Sequence, residues 1–335
     1  MIKNLYNFIN RHIYYFANKT SVENDLKKKM FGLAIETTNI CNANCTFCAF
    51  QYQDRPTGFM DMKLFKKIID EFVELGGVEL GLTPCVGEVF ADRLFIDRVK
   101  YAAKNIKRIG MYTNLISIAK FGLNNIIDSG LTDIAISTSA FDEENYKKVY
   151  RNNNYRKMYN NIIELTNLNN KKSTKVNITI SARTNKSLKD FRNDKDYKNL
   201  IKIFPENKIF YRNTFDNWGG KISLDDLNQG MKLKNYSYQP RISPCSEFYS
   251  GPYVFYNGDV GICGCRDVNA SELIIGNAGQ NKIKDIWYNK KHLELLSNFM
   301  NKPEKICKKC SHYNNVSSYC DKKTLSYIKS LPDVY

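Results

Sequence analysis

The sequence predicts an α/β protein: an incomplete parallel (β/α)6 barrel over residues 31–220, followed by a small cysteine-rich lobe. Three observations predict it. Strand-like runs alternate with amphipathic helical stretches between residues 31 and 215, the pattern of parallel βα units. That rhythm stops near Trp218-Gly219-Gly220. Six of the ten cysteines lie from Cys245 onward, among short strand-like pieces and turns, so this lobe is expected to be organised by metal rather than by a large apolar core.

Taken in order, residues 4–17 place Leu5, Phe8, Ile9, Ile13 and Phe16 at helical spacing, with Asn10, Arg11 and Lys19 among the polar positions. Because Arg11 and His12 are the only basic side chains there, a helix packed on the main domain is preferred to one lying on a membrane surface. Residues 33–36 form a first strand that feeds a cysteine loop. Asp61 then caps a helix carrying Leu64, Phe65, Ile68, Ile69, Phe72 and Val73 on one side, closed by Gly76-Gly77. Further strands are expected at 78–82, 109–112, 133–138, 176–181 and 208–215, with helices at 92–105, 119–129, 143–149, 157–168 and 188–201. The polar, turn-rich residues 221–244 suit a linker. Residues 245–335 form the terminal lobe, with a turn at Asn257-Gly258-Asp259 and a helix over 283–298.

Composition narrows the class. A 43% hydrophobic fraction can build a sizeable core, and the 25% charged fraction is ordinary for a globular protein. No run approaches the roughly 18 apolar residues of a membrane span. No secretory pattern opens the chain, so the cytoplasm is expected. Thiols stay reduced there, which turns clustered cysteines into metal or iron–sulfur ligands rather than disulfides. The net charge of +16 is scattered, as in Lys171-Lys172 and Lys308-Lys309, with acidic residues between. That favours a solvated basic surface over a nucleic-acid partner or an anionic membrane surface.

Cys41, Cys45 and Cys48 form a C-x3-C-x2-C pattern just past the first strand, on the face where such barrels place their chemistry. A 4Fe–4S cube normally takes four thiolates, so three leave one iron open to chelate a small molecule. Zinc would need a fourth ligand, and the chain has only His12, His292 and His312 to add.

This motif, with Phe47 before the last cysteine, resembles the signature of the radical S-adenosylmethionine (SAM) superfamily over residues 31–215. The resemblance implies that the open iron binds the amino and carboxylate groups of SAM. It further implies that SAM is cleaved to methionine and a 5′-deoxyadenosyl radical, which abstracts a substrate hydrogen. Pro84-Cys85-Val86-Gly87-Glu88-Val89 resembles the family's GGE segment, with Val86 in place of the first glycine. Thr113-Asn114 resembles its TNG turn, with Leu115 in place of the glycine. The resemblance thus implies cofactor contacts from Phe47, Gly87, Glu88, Asn114 and Ser137, and from Arg151 or Arg183 as a partner for a carboxylate. Cys85 reads as a small buried hydrophobe, with an active-site thiol as the alternative.

Cys245, Cys263, Cys307 and Cys310 form a second constellation, with Gly258 and Ile286-Trp287 between them. It resembles the twitch and SPASM domains that follow many radical SAM cores and implies one auxiliary 4Fe–4S cluster, since Val316 stands where a longer SPASM pattern has cysteine. Cys265 and Cys320 are alternate ligands, and a zinc ribbon is the competing reading.

Oxidation of a small polyol or sugar, with the auxiliary cluster taking an electron, is the expected reaction; the twitch pattern resembles the radical SAM alcohol dehydrogenases. Peptide maturation is the alternative. The roughly 30 residues before the first strand are short for a peptide-recognition domain, which usually needs about 50 or more. An iron–sulfur scaffold at a nucleic-acid or membrane surface would leave the SAM-binding features unexplained. A reductase, flavodoxin or ferredoxin is the implied electron donor. Asn213, Asp216 and Trp218, at the end of the sixth strand, are candidates for contacting substrate.

Overall fold

A computed structural model describes residues 2–234, 241–264 and 266–334, and the side chains of residues 2–8 are not described. The alternate ligand Cys265 lies outside the described residues. Six parallel strands run in sequence order: β1 (Leu33–Ile35), β2 (Glu79–Gly81), β3 (Arg108–Thr113), β4 (Asp133–Thr138), β5 (Asn177–Arg183) and β6 (Ile209–Arg212). Ile109 and Met111 of β3, Ile134 and Ile136 of β4, and Ile178 and Ile180 of β5 are buried, while the alternate residues are less so. This two-residue period sends the bulky side chains into the core. It leaves small residues (Ala34, Gly81, Gly110, Ala135, Thr179) along a concave cavity on the other face.

The helices follow the same rule at their own period. After the N-terminal α1 (Ile2–Lys27), α2 (Met62–Glu74) starts at Asp61, whose carboxylate accepts the backbone N–H groups of Lys63 and Leu64 at 2.8 and 3.2 Å. It buries Phe65, Ile68, Ile69 and Phe72. Helix α3 (Phe95–Ala102) is locked to it by Arg98, which is fully buried, pairs with Asp92 at 2.7 Å and also donates to the Met60 carbonyl. Then come α4 (Leu123–Ile127), α5 (Glu143–Tyr150), α6 (Tyr155–Lys171), α7 (Leu188–Asn193) and α8 (Lys195–Leu200).

Several elements are broken or shorter than their sequence patterns suggest: the 92–105 helix covers only Phe95–Ala102, and the 283–298 helix is interrupted at Tyr288-Asn289, leaving Ile283–Trp287 and Lys290–Asn298. The 119–129 helix is split by Gly122, at φ 74°, into a 3-10 turn and α4. The 188–201 helix breaks at Asp194, whose backbone is extended in ψ at 133°. The sixth strand stops at Arg212, and β7 (Thr214–Phe215) leaves to pair in parallel with β8 (Lys232–Leu233).

After the linker come α9 (Glu247–Ser250), β9 (Tyr253–Val254), β10 (Asp259–Gly261) and β11 (Ile274–Asn277), then α10 (Ile283–Trp287), α11 (Lys290–Asn298), α12 (Lys305–Lys309) and α13 (Lys322–Ser330). Strand β9 adds in parallel beside β1, and β10 and β11 continue the same sheet antiparallel. Gly251 permits this junction: a Cβ there would lie 1.9 Å from the Gly32 carbonyl oxygen. Phe248, Tyr249, Val254 and Val260 therefore join the barrel's core cluster.

Helix α1 corrects one expectation. Ile9, Ile13 and Phe16 are exposed (45%, 62% and 59%), and the helix instead packs through Tyr15, Val22 and Leu26. Those residues, seven and four apart, share one stripe on the side away from the Ile9–Ile13–Phe16 face. Arg11–Asp321 at 3.0 Å and, just past the helix, Lys29–Asp333 at 2.7 Å tie the N-terminal region to the C-terminal segment. Among the described residues no helix is long and apolar enough to cross a membrane.

Candidate active site and second cysteine pocket

The loops leaving the C-terminal ends of the barrel strands surround a cleft of about 480 Å³. Cys41, Cys45 and Cys48 all line it. Their loop is pinned from several directions: Thr46 N–H donates to Val149 O (3.0 Å), Asn152 Nδ2 to Asn42 O (2.8 Å), and the Trp218 indole N–H to Phe47 O (2.9 Å). Burial pushes the Cys41 thiol up to about 12, aided by the charge of Glu88. It raises Cys45 and Cys48 as well, against the opposing charge of Arg183. Isolated thiolates are thus disfavoured here, and ionised sulfur is expected only with a cationic centre to compensate it.

Glu88 is the hub of the polar residues in the cleft. It is 2% exposed, and its carboxylate accepts from Thr113 Oγ1 (2.5 Å), Asn114 N (2.7 Å) and Phe90 N (3.3 Å). It therefore ties the loop after β2 to the turn after β3. Burial pushes its carboxyl up to about 7, with those donors opposing. Gly87 sits at φ 149°, and a Cβ would lie 3.0 Å from both Thr38 O and Pro84 Cβ. Leu115, in the position where the resemblance has glycine, adopts φ 63°. Left-handed backbone costs a non-glycine roughly 1–2 kcal/mol. Leu115 is completely buried, and burying a leucine contributes about 1.5–3 kcal/mol, enough to hold the turn.

Asn114 lines the cleft and donates through Nδ2 to Asn42 Oδ1, inside the cysteine motif, at 2.6 Å. Ser137 at the end of β4 is 2.7 Å from the Tyr150 hydroxyl and accepts from Arg183. The Arg183 guanidinium lies 5.2 Å over the Phe47 ring, which stacks on Phe215 at 5.1 Å. Arg151 is placed elsewhere: it ends α5 in left-handed backbone and donates to Gln51 Oε1 at 2.9 Å, outside the cleft lining. Of the two arginines, Arg183 is the one in the cleft. Cys85 is 7% exposed and reaches the cleft wall. Asp216 and Trp218 also line it, whereas Asn213 does not.

Several contributors have no motif of their own. Glu36 is fully buried and pairs with Arg55 through two bonds, at 2.7 and 3.0 Å. Arg55 Nε also donates to Val268 O at 2.7 Å, clamping the cysteine loop to the C-terminal lobe. Tyr150 and Arg266 line the cleft as well. Arg266 stands one residue past the C-x-C pair, the only signal that could have flagged it.

Cys245, Cys263, Cys307 and Cys310 converge on a second cavity, lined otherwise by Phe248, Leu273, Phe299 and Ile306 among others. Cys307 lies in α12 and Cys310 ends it, with the His312 N–H directed at the Cys310 sulfur at 3.3 Å. Burial pushes Cys245 up to about 12. Cys320 is buried apart from this cavity, its sulfur 4.0 Å from the Val316 carbonyl.

Comparison with known proteins assigns the two parts of the chain that carry these cysteines to families. Residues 35–194 match the radical SAM superfamily, and residues 245–311 match SPASM, an iron–sulfur cluster-binding domain. The chain belongs to the radical SAM superfamily and carries a SPASM-type domain at its C-terminal side. Its cofactors are accordingly SAM, the 4Fe–4S cluster that binds it, and auxiliary iron–sulfur. The donor sets fit: three thiols line one cleft with polar neighbours, and four line a second cavity.

The PqqA peptide cyclase of Bradyrhizobium diazoefficiens is 29% identical over 125 residues, covering 35% of this chain and 31% of that protein. The chain thus spans about a third of the length of the curated relatives it matches. Among solved structures, Streptococcus suis SuiB bound to its precursor peptide SuiA aligns with a TM-score of 0.61 at 16% identity, covering 88% of this chain and 74% of that one. BtrN in complex with AdoMet and 2-DOIA aligns at 0.53 and 17% identity, covering 84% and 92%. These likenesses establish the partial-barrel fold.

Proposed function

We propose that this protein is a radical SAM oxidoreductase that removes two electrons from a small polyol- or sugar-type substrate. When bound, the cleft cluster and SAM supply a 5′-deoxyadenosyl radical, and the auxiliary cluster supplies an electron acceptor. In this reading Cys41, Cys45 and Cys48 hold the first cluster. Glu88 accepts an N–H from the SAM amino group, and Arg183, steadied by Phe47, Ser137 and Tyr150, faces its carboxylate. The substrate loses a C–H hydrogen atom, one further electron and its hydroxyl proton, which leaves a carbonyl. The observation that carries the proposal is that the cleft and the four-cysteine cavity share a wall, because Arg266 and Glu247 line both. A substrate at that wall adjoins both centres. A reductase, flavodoxin or ferredoxin would deliver the initiating electron.

A second reading, modification of a precursor peptide, is favoured by the similarity to the PqqA peptide cyclase. The two separate by isotope transfer. The reduced protein is incubated with SAM and either carbon-deuterated polyols and aminosugars or deuterated peptides encoded beside its gene. Deuterium in 5′-deoxyadenosine together with a product lighter by one C–H and one O–H hydrogen supports the polyol reading. Transfer solely from a peptide would replace it.

A further inference from the structure

The wall between the two cysteine sites is built around one ion pair. Arg266 grips Asp216 through two contacts, Nε to Oδ1 at 2.6 Å and Nη2 to Oδ2 at 2.7 Å. Its guanidinium also lies 4.6 Å over the Trp218 ring. The Trp218 indole N–H in turn donates to the carbonyl of Phe47, the residue before Cys48. Both ion-pair side chains are largely buried, at 11% and 22% exposure. A guanidinium held by one hydrogen bond and a second short ionic contact to a carboxylate, and lying over an aromatic ring, is a charge with little freedom to move.

The segment carrying Asp216 and Trp218 is bound to the second pocket's own ligand loop. Asn217 Nδ2 donates to Lys309 O at 2.7 Å, its N–H donates to Ser311 Oγ at 2.8 Å, and its Oδ1 accepts from Ser311 N at 3.0 Å. Gly219 and Gly220 have φ of 64° and 92°, and Cβ atoms there would lie 2.3 Å from Ile306 Cγ1 and 2.9 Å from Lys309 Cδ. This close approach seats the wall against α12, which bears Cys307. Burial raises both Cys48 and Cys310; the charge of Arg266 opposes that rise at each, and Asp216 adds to it.

We propose that Arg266 is a positioning residue that sets the reduction potential of the auxiliary cluster from the substrate side, with Asp216 as its counterweight. The inference rests on the reading of the Cys245–Cys263–Cys307–Cys310 pocket as a redox-active cluster site. Reduction adds one electron, and so one negative charge, to the cluster. A fixed cation beside it stabilises the reduced form and raises the potential, and a paired carboxylate partly cancels that effect. The arrangement thereby makes the cluster a better acceptor on the side where substrate would sit.

The test uses the full-length chain with Cys41, Cys45 and Cys48 all changed to alanine, so that only the auxiliary cluster remains. It is reconstituted anaerobically and titrated with dithionite and mediators, and the reduced cluster is read by electron paramagnetic resonance. Arg266→Gln is expected to lower the midpoint potential and Asp216→Asn to raise it. Arg266→Lys is expected to stay nearer the parent than Arg266→Gln does. Unchanged potentials in both R266Q and D216N, or shifts of the same sign, would overturn the inference while leaving the cluster reading intact. A parent chain that binds no iron would overturn both. If R266Q fails to retain iron, D216N decides alone: a rise supports the inference, and no rise overturns it.

Discussion

Changing Arg55 to Met removes one half of a buried ion pair and should be among the most costly single substitutions in the protein. The side chains of Arg55 and Glu36 are 8% and 0% exposed, and Arg55 provides two charged hydrogen bonds to Glu36 and one to Val268 O. Removing one partner of such a pair costs about 3–5 kcal/mol, because the remaining charge stays buried and unpaired. Burial already pushes Glu36 above its ordinary value, with Arg55 and the Cys85 N–H opposing. Its raised folded-state value means that its contribution to stability is fully present below the unfolded carboxylate value and is lost as pH rises. Without Arg55 the folded value climbs further, so the deficit of Arg55→Met should be small near about pH 5 and grow toward about pH 8. Urea unfolding of the anaerobic holoprotein, followed by circular dichroism across that range, reads it. A double variant, Glu36→Leu with Arg55→Met, removes both charges and should recover most of the loss. A loss under about 1 kcal/mol at neutral pH, or one that does not shrink in acid, would refute the reasoning.

Burial pushes the Glu88 carboxyl up to about 7, so SAM should bind more tightly as pH rises through that value and the carboxylate ionises to accept from its amino group. Isothermal titration should show that Glu88→Gln both weakens binding and flattens this dependence. Gly87→Ala forces a Cβ within 3.0 Å of the Thr38 carbonyl at a left-handed φ, and should cost about 1–3 kcal/mol of strain, seen as a lower thermal midpoint and weaker SAM binding. Cys310→Ala should remove about four irons per chain in anaerobic iron and sulfide analysis, whereas Cys320→Ala, whose thiol lies outside the second cavity, should remove none. Equal iron losses in the two would contradict the ligand set.

Much of this architecture is legible because it is local. Asp61 and the apolar spacing of α2 announce a helix and its start, and β4 falls on 133–138 as its alternation suggests. The cysteine triad is readable for the same reason, as its three thiols lie within eight residues. What is not legible depends on pairs distant in sequence. Glu36, Arg55 and Val268 meet only in the fold, as do Asp216 and Arg266. Arg151, after the helix that follows β4, and Arg183, at the end of β5, both suit a carboxylate partner by sequence. Backbone conformation separates them, because Arg151 turns out of the cleft at the left-handed end of α5. The N-terminal helix misleads for a related reason. Ile9, Ile13 and Phe16 of its most evident apolar stripe are exposed, and the buried stripe is interrupted by the polar residues of the kink at Asn18.

The central claim is that Cys41, Cys45 and Cys48 hold the cluster at which SAM is cleaved. The most direct measurement is chromatographic detection of 5′-deoxyadenosine and methionine after anaerobic incubation of the reconstituted, dithionite-reduced protein with SAM. The wild-type chain should form both products, and the variant with all three cysteines changed to alanine should form neither while keeping its auxiliary iron. Product from the triple variant, or none from a fully iron-loaded wild-type chain, would contradict the assignment.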